Sequence, residues 1–239
     1  MNKKRLLALG VAMAMAVSAT AWAANEGGSI AITADTLSYD GVSGKADAEG
    51  SVVITQGDKT MTGDKGWYNT KTREADLNGG VTMIGTDMSM VANSVHSYDD
   101  ERFTAQGGVH LERGNRQIFG DSVEYNTKTE YGKADGNARL IAEGTNLSAN
   151  HVEGWFAQVK AVATGNVTFY NEERNTSGSA DHATYTQTPG KDDGVVLLTG
   201  SAHVNQNGNL LDAPELRVEL SDNSAQTQGG RSTLIISPR

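Results

Sequence analysis

The thirty residues from Ser29 to Asp58, SIAITADTLSYDGVSGKADAEGSVVITQGD, hold two runs of alternating side-chain character joined by a turn. In the second run Ala46, Ala48, Gly50, Val52 and Ile54 take every other position, with Lys45, Asp47, Glu49, Ser51, Val53 and Thr55 between them. A period of two, small or apolar on one side and mostly polar on the other, predicts a half-buried β-strand. In the first run Ile30, Ile32 and Ala34 share one parity, but after Asp35 the apolar set moves to Leu37 and Tyr39. A one-residue slip sends every later side chain to the opposite face, so a bulge or corner is expected at Ala34-Asp35.

The same unit returns along the chain. Its corner recurs as Gly63-Asp64, Ala92-Asn93, Gly120-Asp121, Ala149-Asn150, Ala180-Asp181 and, degenerately, Ala213-Pro214. Its strand glycine recurs as Gly79, Gly107, Gly136, Gly165, Gly200 and Gly229, mostly 28 or 29 residues apart; an insertion around Thr188 to Gly194 widens one interval. Two positions after the glycine come Val52, Val81, Val109, Ala138, Val167 and Ala202, then Ile54, Met83, Leu111, Leu140, Phe169 and Val204. Self-similarity at this period predicts a one-dimensional stack of supersecondary units.

Residues 1–23 stand apart from the stack. Lys3, Lys4 and Arg5, the apolar run Leu6 to Ala19 and the sequence Ala21-Trp22-Ala23 have the form of a cleavable signal peptide, leaving residues 24–239 as a single exported repeat domain. Cleavage removes three basic residues, so 17 basic face 29 acidic and the net charge moves from −9 to −12. That balance argues against nucleic acid as a partner and against non-specific adhesion to anionic membrane faces. With no cysteine there is neither a lipoprotein anchor nor a disulfide framework.

The connections decide between a parallel β-helix and an antiparallel meander. Asp40-Gly41-Val42-Ser43-Gly44 suits a hairpin, as do Gln56-Gly57-Asp58, Asp99-Asp100-Glu101, and Asn69-Thr70-Lys71-Thr72 with its echo Asn126-Thr127-Lys128-Thr129. The expected fold is therefore all-β: an antiparallel stack of about fourteen short strands from seven repeats, open at both ends, each strand bent at the Asp/Asn corner or the glycine. Bent strands enclose a trough, lined on one arm by Ala46, Ala48, Ala75, Ala105, Ala134, Ala161 and Ala163 and on the other by larger aliphatic and thioether side chains. The two arms either pack together at the usual sheet spacing or leave a lipid-sized slot.

The run I-x-A-D-x-L-x-Y-D followed by A-x-G-x-V-x-I-x-x-G resembles the OstA-like repeat of the lipopolysaccharide transport proteins, the LptA family. The closing segment, from Asp193-Gly194-Val195-Val196-Leu197-Leu198-Thr199-Gly200-Ser201-Ala202 through Asn209-Leu210-Leu211-Asp212 to Gly230-Arg231-Ser232-Thr233-Leu234-Ile235-Ile236-Ser237-Pro238, is especially similar to the ends of its periplasmic members. The resemblance implies a bent β-jellyroll, or β-taco, that shields the acyl chains of lipopolysaccharide. It implies end-to-end strand association with LptC-like inner-membrane and LptD-like outer-membrane domains, or head-to-tail with further copies, and it makes residues 29–39 and 231–237 the joining edges. The lipid-contact set expected from the inward columns is Ile30, Ile32, Leu37, Val52, Ile54, Met61, Val81, Met83, Met90, Val109, Leu111, Ile118, Leu140, Leu147, Val167 and Phe169.

Catalysis finds little support in the sequence. Asp35, Asp64, Asp121 and Asp181 could form a metal ladder, but Asn93 and Asn150 interrupt the row, and a turn role through Asx hydrogen bonds is the simpler reading. The five histidines show no ligand spacing, and no nucleophile or phosphate-loop motif is present. No metal, cofactor or enzymatic activity is expected. A structural or adhesive cell-surface β-solenoid with a filled core would share the repeat; a polysaccharide-degrading β-helix would need a carboxylate cluster that the repeat does not supply.

Overall fold

Alternation written into each repeat emerges as sixteen strands: β1 (Ile30–Thr33), β2 (Thr36–Asp40), β3 (Lys45–Gln56), β4 (Lys59–Asn69), β5 (Ala75–Ile84), β6 (Met88–Ser97), β7 (Arg102–Arg113), β8 (Arg116–Asn126), β9 (Tyr131–Ala142), β10 (Thr145–Trp155), β11 (Lys160–Asn171), β12 (Thr176–Thr186), β13 (Val195–Gln206), β14 (Asn209–Glu219), β15 (Ser224–Gln228) and β16 (Thr233–Ile235). The structure is a computed structural model that describes residues 30–86, 88–98, 102–114, 116–126, 128–142, 144–172, 174–191, 193–219, 221–222 and 224–237. The leader 1–23, the Asp99-Asp100-Glu101 turn, Thr127 and Pro238 lie outside the described residues. Among those described, the one helical element is the three-residue 3-10 turn Phe156–Gln158.

The strands pair in chain order from β3 to β14 in one sheet that does not close. β1 and β2 both pair β3, and β15 and β16 both pair β14, antiparallel in every case. Each of these two pairs is one rung broken at its corner, the first at Ala34-Asp35, so sixteen strands make fourteen rungs, as the repeat count predicts. The chain divides into two compact units at Asp135/Gly136, each with its own run of rungs.

The corner is a two-for-one bulge. In β3 Glu49 pairs Lys65 and Val52 pairs Gly63, so Gly50 and Ser51 face Asp64 alone. Both are left-handed, at φ +79° and +50°. Gly79-Gly80 and Gly107-Gly108 repeat the step before residue 136, and Gly165-Asn166 and Gly200-Ser201 after it. Glycine is required there for a second reason: a Cβ on Gly79 would lie 2.5 Å from the Cβ of Asp64, and one on Gly200 2.5 Å from that of Asp181. The Asp/Asn of one strand therefore occupies the space left by the glycine of the next. This differs from the expected Asx turn. Asp35 accepts from the Ser51 hydroxyl at 3.2 Å, and the Asn150 carbonyl from the Asn166 amide at 3.3 Å, both across a strand pair. The corner backbone lies within a ladder, which leaves its side chain to reach sideways rather than cap its own turn.

Turn chemistry follows the sequence. The Asn69 side chain accepts from the Lys71 and Thr72 amides at 2.9 and 3.2 Å, and Asn126 does the same for Lys128 and Thr129 at 3.0 and 2.9 Å. The Ser43 hydroxyl and then the Val42 amide hold the Asp40 carboxyl below the usual carboxylate range, and the Thr86 hydroxyl does so for Asp58.

Burial shows where the bulges lead. Within residues 30–135 Val81 and Ala105 are fully buried, and within 136–237 so are Ala163, Val167, Leu198, Leu216 and Val218. Among the described residues no long helix and no second sheet covers them. A sheet open to water on both faces cannot bury side chains so completely, so in each unit the strands fold back at the corner and their inner columns meet. We call the part of the ladder containing Lys45–Glu49 and its partners the first arm, and the part containing Val52–Gln56 and its partners the second.

Candidate functional site

The expected lipid-contact positions fall on one face, because residues directly opposite in an antiparallel ladder share a side of the sheet. Ile32 pairs Ile54, Ile54 pairs Met61, Met61 pairs Met83, Met83 pairs Met90, Met90 pairs Leu111 and Leu111 pairs Ile118. Leu147 pairs Phe169 in the later unit. Val52, Ile54, Met61, Val81, Met83, Met90, Val109, Leu111, Leu140, Leu147, Val167 and Phe169 are buried, Ile30, Ile32 and Ile118 half-buried, and Leu37 exposed. Twelve of sixteen positions are thus covered by protein, which makes the middle of each inner face a packed core.

Part of that core departs from expectation. The first arm is not lined by small residues alone: Ala46 pairs Tyr68, Phe103 pairs Tyr125 and Ala161 pairs Tyr185. Phe103, Tyr125 and Tyr185 are buried, and the Phe103 and Tyr125 rings lie 6.2 Å apart. The signal is present in the sequence as a column, Tyr39, Tyr68, Ser97, Tyr125, Gly154, Tyr185 and Val218, four residues after each corner Asp, Asn or Pro. Ala46 of β3 faces Tyr68 of β4 and Ala161 of β11 faces Tyr185 of β12, so at these rungs small and large side chains alternate.

Burial pushes the Tyr125 hydroxyl above its ordinary pKa, the Glu130 carboxylate adds to this, and the Arg113 guanidinium opposes it.

At the terminal rungs the same inner face is uncovered. Tyr39, first in the tyrosine column, is 62% exposed, whereas Tyr125 and Tyr185 are 6% and 4% exposed. Leu37 is 52% exposed although its cross-strand partner Ala48 is buried. At the other terminus Leu234, which pairs buried Leu211, is 49% exposed, and Ile236 67%. The difference at one column position is the surface that one more rung would cover.

The corner carboxylates do not converge. Asp35 and Asp64 lie two rungs apart, about 9.6 Å, and Asp121 lies four rungs beyond Asp64, with Asp181 in the later unit, too far to share a cation held at about 2.3–2.6 Å. Among the described residues no three His, Cys, Asp or Glu side chains gather where an ion could sit.

Residues 89–224, more than half of the chain, match the family model described as LptA/(LptD N-terminal domain) LPS transport protein. No curated protein matches the chain. Among solved structures, LptH of Pseudomonas aeruginosa, described as the LptA homologous periplasmic component of the conserved lipopolysaccharide transport device, aligns over 88% of this chain and 96% of its own. The identity is 13% and the TM-score 0.18, too loose a superposition to bear on the geometry of the arms.

Proposed function

The chain belongs to the family of LptA and LptD N-terminal-domain lipopolysaccharide transport proteins, and from that premise we propose that it is a periplasmic carrier that takes the acyl chains of lipopolysaccharide between its two arms. In this reading the residues after the leader act as one repeat domain, and the sixteen inward positions from Ile30 to Phe169 form the lipid path. No chemical step is required, because transfer from water to an apolar lining contributes about 25 cal/mol per Å2. The anionic head stays at the rim, outside the trough.

The observation that carries the reading is the uncovered inner face at the terminal rungs. Leu37 and Tyr39 at one edge, and Leu234 and Ile236 at the other, are where the apolar path opens and where a related rung would continue it. A strand with unpaired N–H and C=O groups and an oily inner face invites strand addition. LptC-like and LptD-like domains, or further copies of the chain, fit these edges.

The burial of twelve inward positions favours a second reading, a scaffold whose arms stay packed. Lipid extraction from protein purified without detergent separates the two. Bound lipopolysaccharide at near-stoichiometric amounts is expected; a lipid-free protein would leave the scaffold standing. The edges have their own test. Leu37→Glu with Tyr39→Ser should weaken concentration-dependent association by at least about tenfold, since each large side chain covered is worth roughly 1.5–3 kcal/mol. Both residues are already exposed, so the fold should tolerate the change. Sedimentation velocity unchanged from the wild type would rule out joining through this edge.

A further inference from the structure

The dipeptide Asn-Gly occurs twice in the chain, at Asn78-Gly79 and Asn207-Gly208. It is the pair at which a backbone can attack its own side chain, because glycine, without a Cβ, leaves its amide nitrogen open to the preceding carboxamide. Both asparagines are exposed, so access to water does not separate them. Their surroundings do. Asn78 lies inside β5, paired with Lys65 on one side and Ser94 on the other, and its side-chain NH2 donates to the Asp76 carboxylate. Turning its carboxamide carbon onto the Gly79 nitrogen would pull the strand out of two ladders at once.

Asn207-Gly208 is instead the two-residue turn between β13 and β14, closed by the Gln206–Asn209 pair, with φ of +51° and +85°. Positive φ at both central residues is the primed hairpin turn that Asn-Gly favours. The Gly208 N–H lies outside the ladder and donates to the exposed Asn205 side-chain oxygen at 3.1 Å. Opening the hairpin tip therefore frees this nitrogen without unpairing a strand.

The same turn laces its neighbours together. The Asn207 N–H donates to the Asn175 carbonyl, and the Asn175 side-chain NH2 to the Asn207 side-chain oxygen, both at 3.2 Å. From the C-terminal rung the Ser237 hydroxyl donates to the Gly208 carbonyl at 2.8 Å, and the Ser237 N–H to the Asn209 side-chain oxygen at 3.1 Å. β16, just before Ser237, is three exposed residues paired with Leu210, Leu211 and Asp212. With so short a ladder, the two bonds of Ser237 are a large part of what holds the end of the rung.

We propose that Asn207 is a site of spontaneous deamidation and that its isoaspartyl product unlaces the C-terminal rung. The Gly208 nitrogen gives its proton to the solvent and attacks Cγ of Asn207. A C–N bond forms, the bond to the side-chain NH2 breaks, ammonia leaves with a proton from the solvent, and a five-membered succinimide remains. Water opens that ring at one carbonyl to give aspartate and at the other to give isoaspartate. One water is consumed and one ammonia released, with nothing oxidised or reduced. In the isoaspartyl product the main chain runs through the former side chain and is one carbon longer, which a two-residue turn cannot take up in register. The aspartyl product keeps the chain length and an acceptor oxygen for Asn175. The change lies in the chain itself and stands apart from the carrier reading.

The test incubates the full chain in mildly alkaline buffer at body temperature, maps its peptides by mass spectrometry and counts the iso product with an isoaspartyl methyltransferase. Asn207 should convert at least about tenfold faster than Asn78. Gly208→Asn should slow conversion at Asn207 by at least about tenfold, because a Cβ then shields the nitrogen while asparagine still tolerates a left-handed turn. The added Cβ meets only Ser237, at 3.6 and 3.7 Å, so the fold accepts it. Hydrogen exchange then reads the rung: amides from Thr233 to Ser237 should exchange at least about tenfold faster in the isoaspartyl form and at the wild-type rate in freshly made Asn207→Asp. No conversion at Asn207, or conversion of Asn78 at the same rate, overturns the site. Isoaspartate in place of Asn207 with exchange unchanged overturns its hold on the rung.

Discussion

Gly79→Val is expected to lower the stability of the chain by about 3–5 kcal/mol, among the largest effects available to a single glycine here. Two costs combine. The native φ of +87° is one that a β-branched residue adopts only under strain. The new Cβ would also stand 2.5 Å from the Cβ of Asp64, inside a ladder where neither strand can withdraw without losing pairing on both sides. Gly57→Ala is the natural control, since Gly57 is also left-handed at +59° but has nothing within 4 Å of the added carbon. It should cost only about 1–2 kcal/mol. Gly79→Ala combined with Asp64→Gly should recover most of the steric part and leave the backbone part. Urea midpoints at constant m measure all of these. A Gly79→Val chain within about 1 kcal/mol of wild type would mean that the corner is soft, and with it the folding back of the strands.

That corner is legible in the sequence because two independent columns, glycine and Asp/Asn, keep step through the repeats; their pairing is not. The sequence shows that Asp64 and Gly79 recur at matching intervals, but only the register shows one lying over the other across a ladder. The rung count is legible for the same reason. Ala34-Asp35 breaks the terminal rung in two, and among the described residues no strand pairs on its far side. The aromatic lining is hidden for a different reason. The alanines expected to line the first arm, Ala46, Ala48, Ala75, Ala105, Ala134, Ala161 and Ala163, all come from odd strands, whereas the arm is completed by Tyr68, Tyr125 and Tyr185 from the even ones. Periodicity of two tells which side chains share a face; it does not tell which strand supplies the bulk.

The inward set illustrates the boundary between what patterning gives and what packing adds. Alternation places Val52, Met83, Leu111 and Phe169 on the inner face, and burial agrees. Leu37 follows the same parity but lies on a terminal rung, where parity without a neighbour gives an exposed side chain. Arg113 and Arg116 share the parity too, and an apolar-column reading passes over them because charge ends the column.

Leu111→Glu is expected to abolish copurification of acyl lipid, and it tests whether chains pass between the arms. Leu111 is 2% exposed, paired with Met90 on one side and Ile118 on the other, so the new carboxyl would face the apolar lining from both flanking strands. An unpaired buried carboxyl costs several kcal/mol or is neutralised by taking up a proton, and either outcome places a polar group across the path. The loss is comparable to a large part of the roughly 5–15 kcal/mol that usually holds a domain together. Folding must therefore be read alongside lipid, by sheet circular dichroism and a cooperative urea transition. Ile54→Glu offers the milder arm. It lies one rung from the terminal rung, 7% exposed, where the carboxyl can relax toward the half-buried Ile32 side and water. Leu111→Met preserves volume and should cost less than about 1.5 kcal/mol while keeping the lipid. A Glu variant at either position that folds cooperatively and still carries wild-type amounts of acyl chain would place the lipid somewhere other than between the arms. Lipid lost in both folded Glu variants and kept in Leu111→Met is the pattern that only an apolar path through these columns produces.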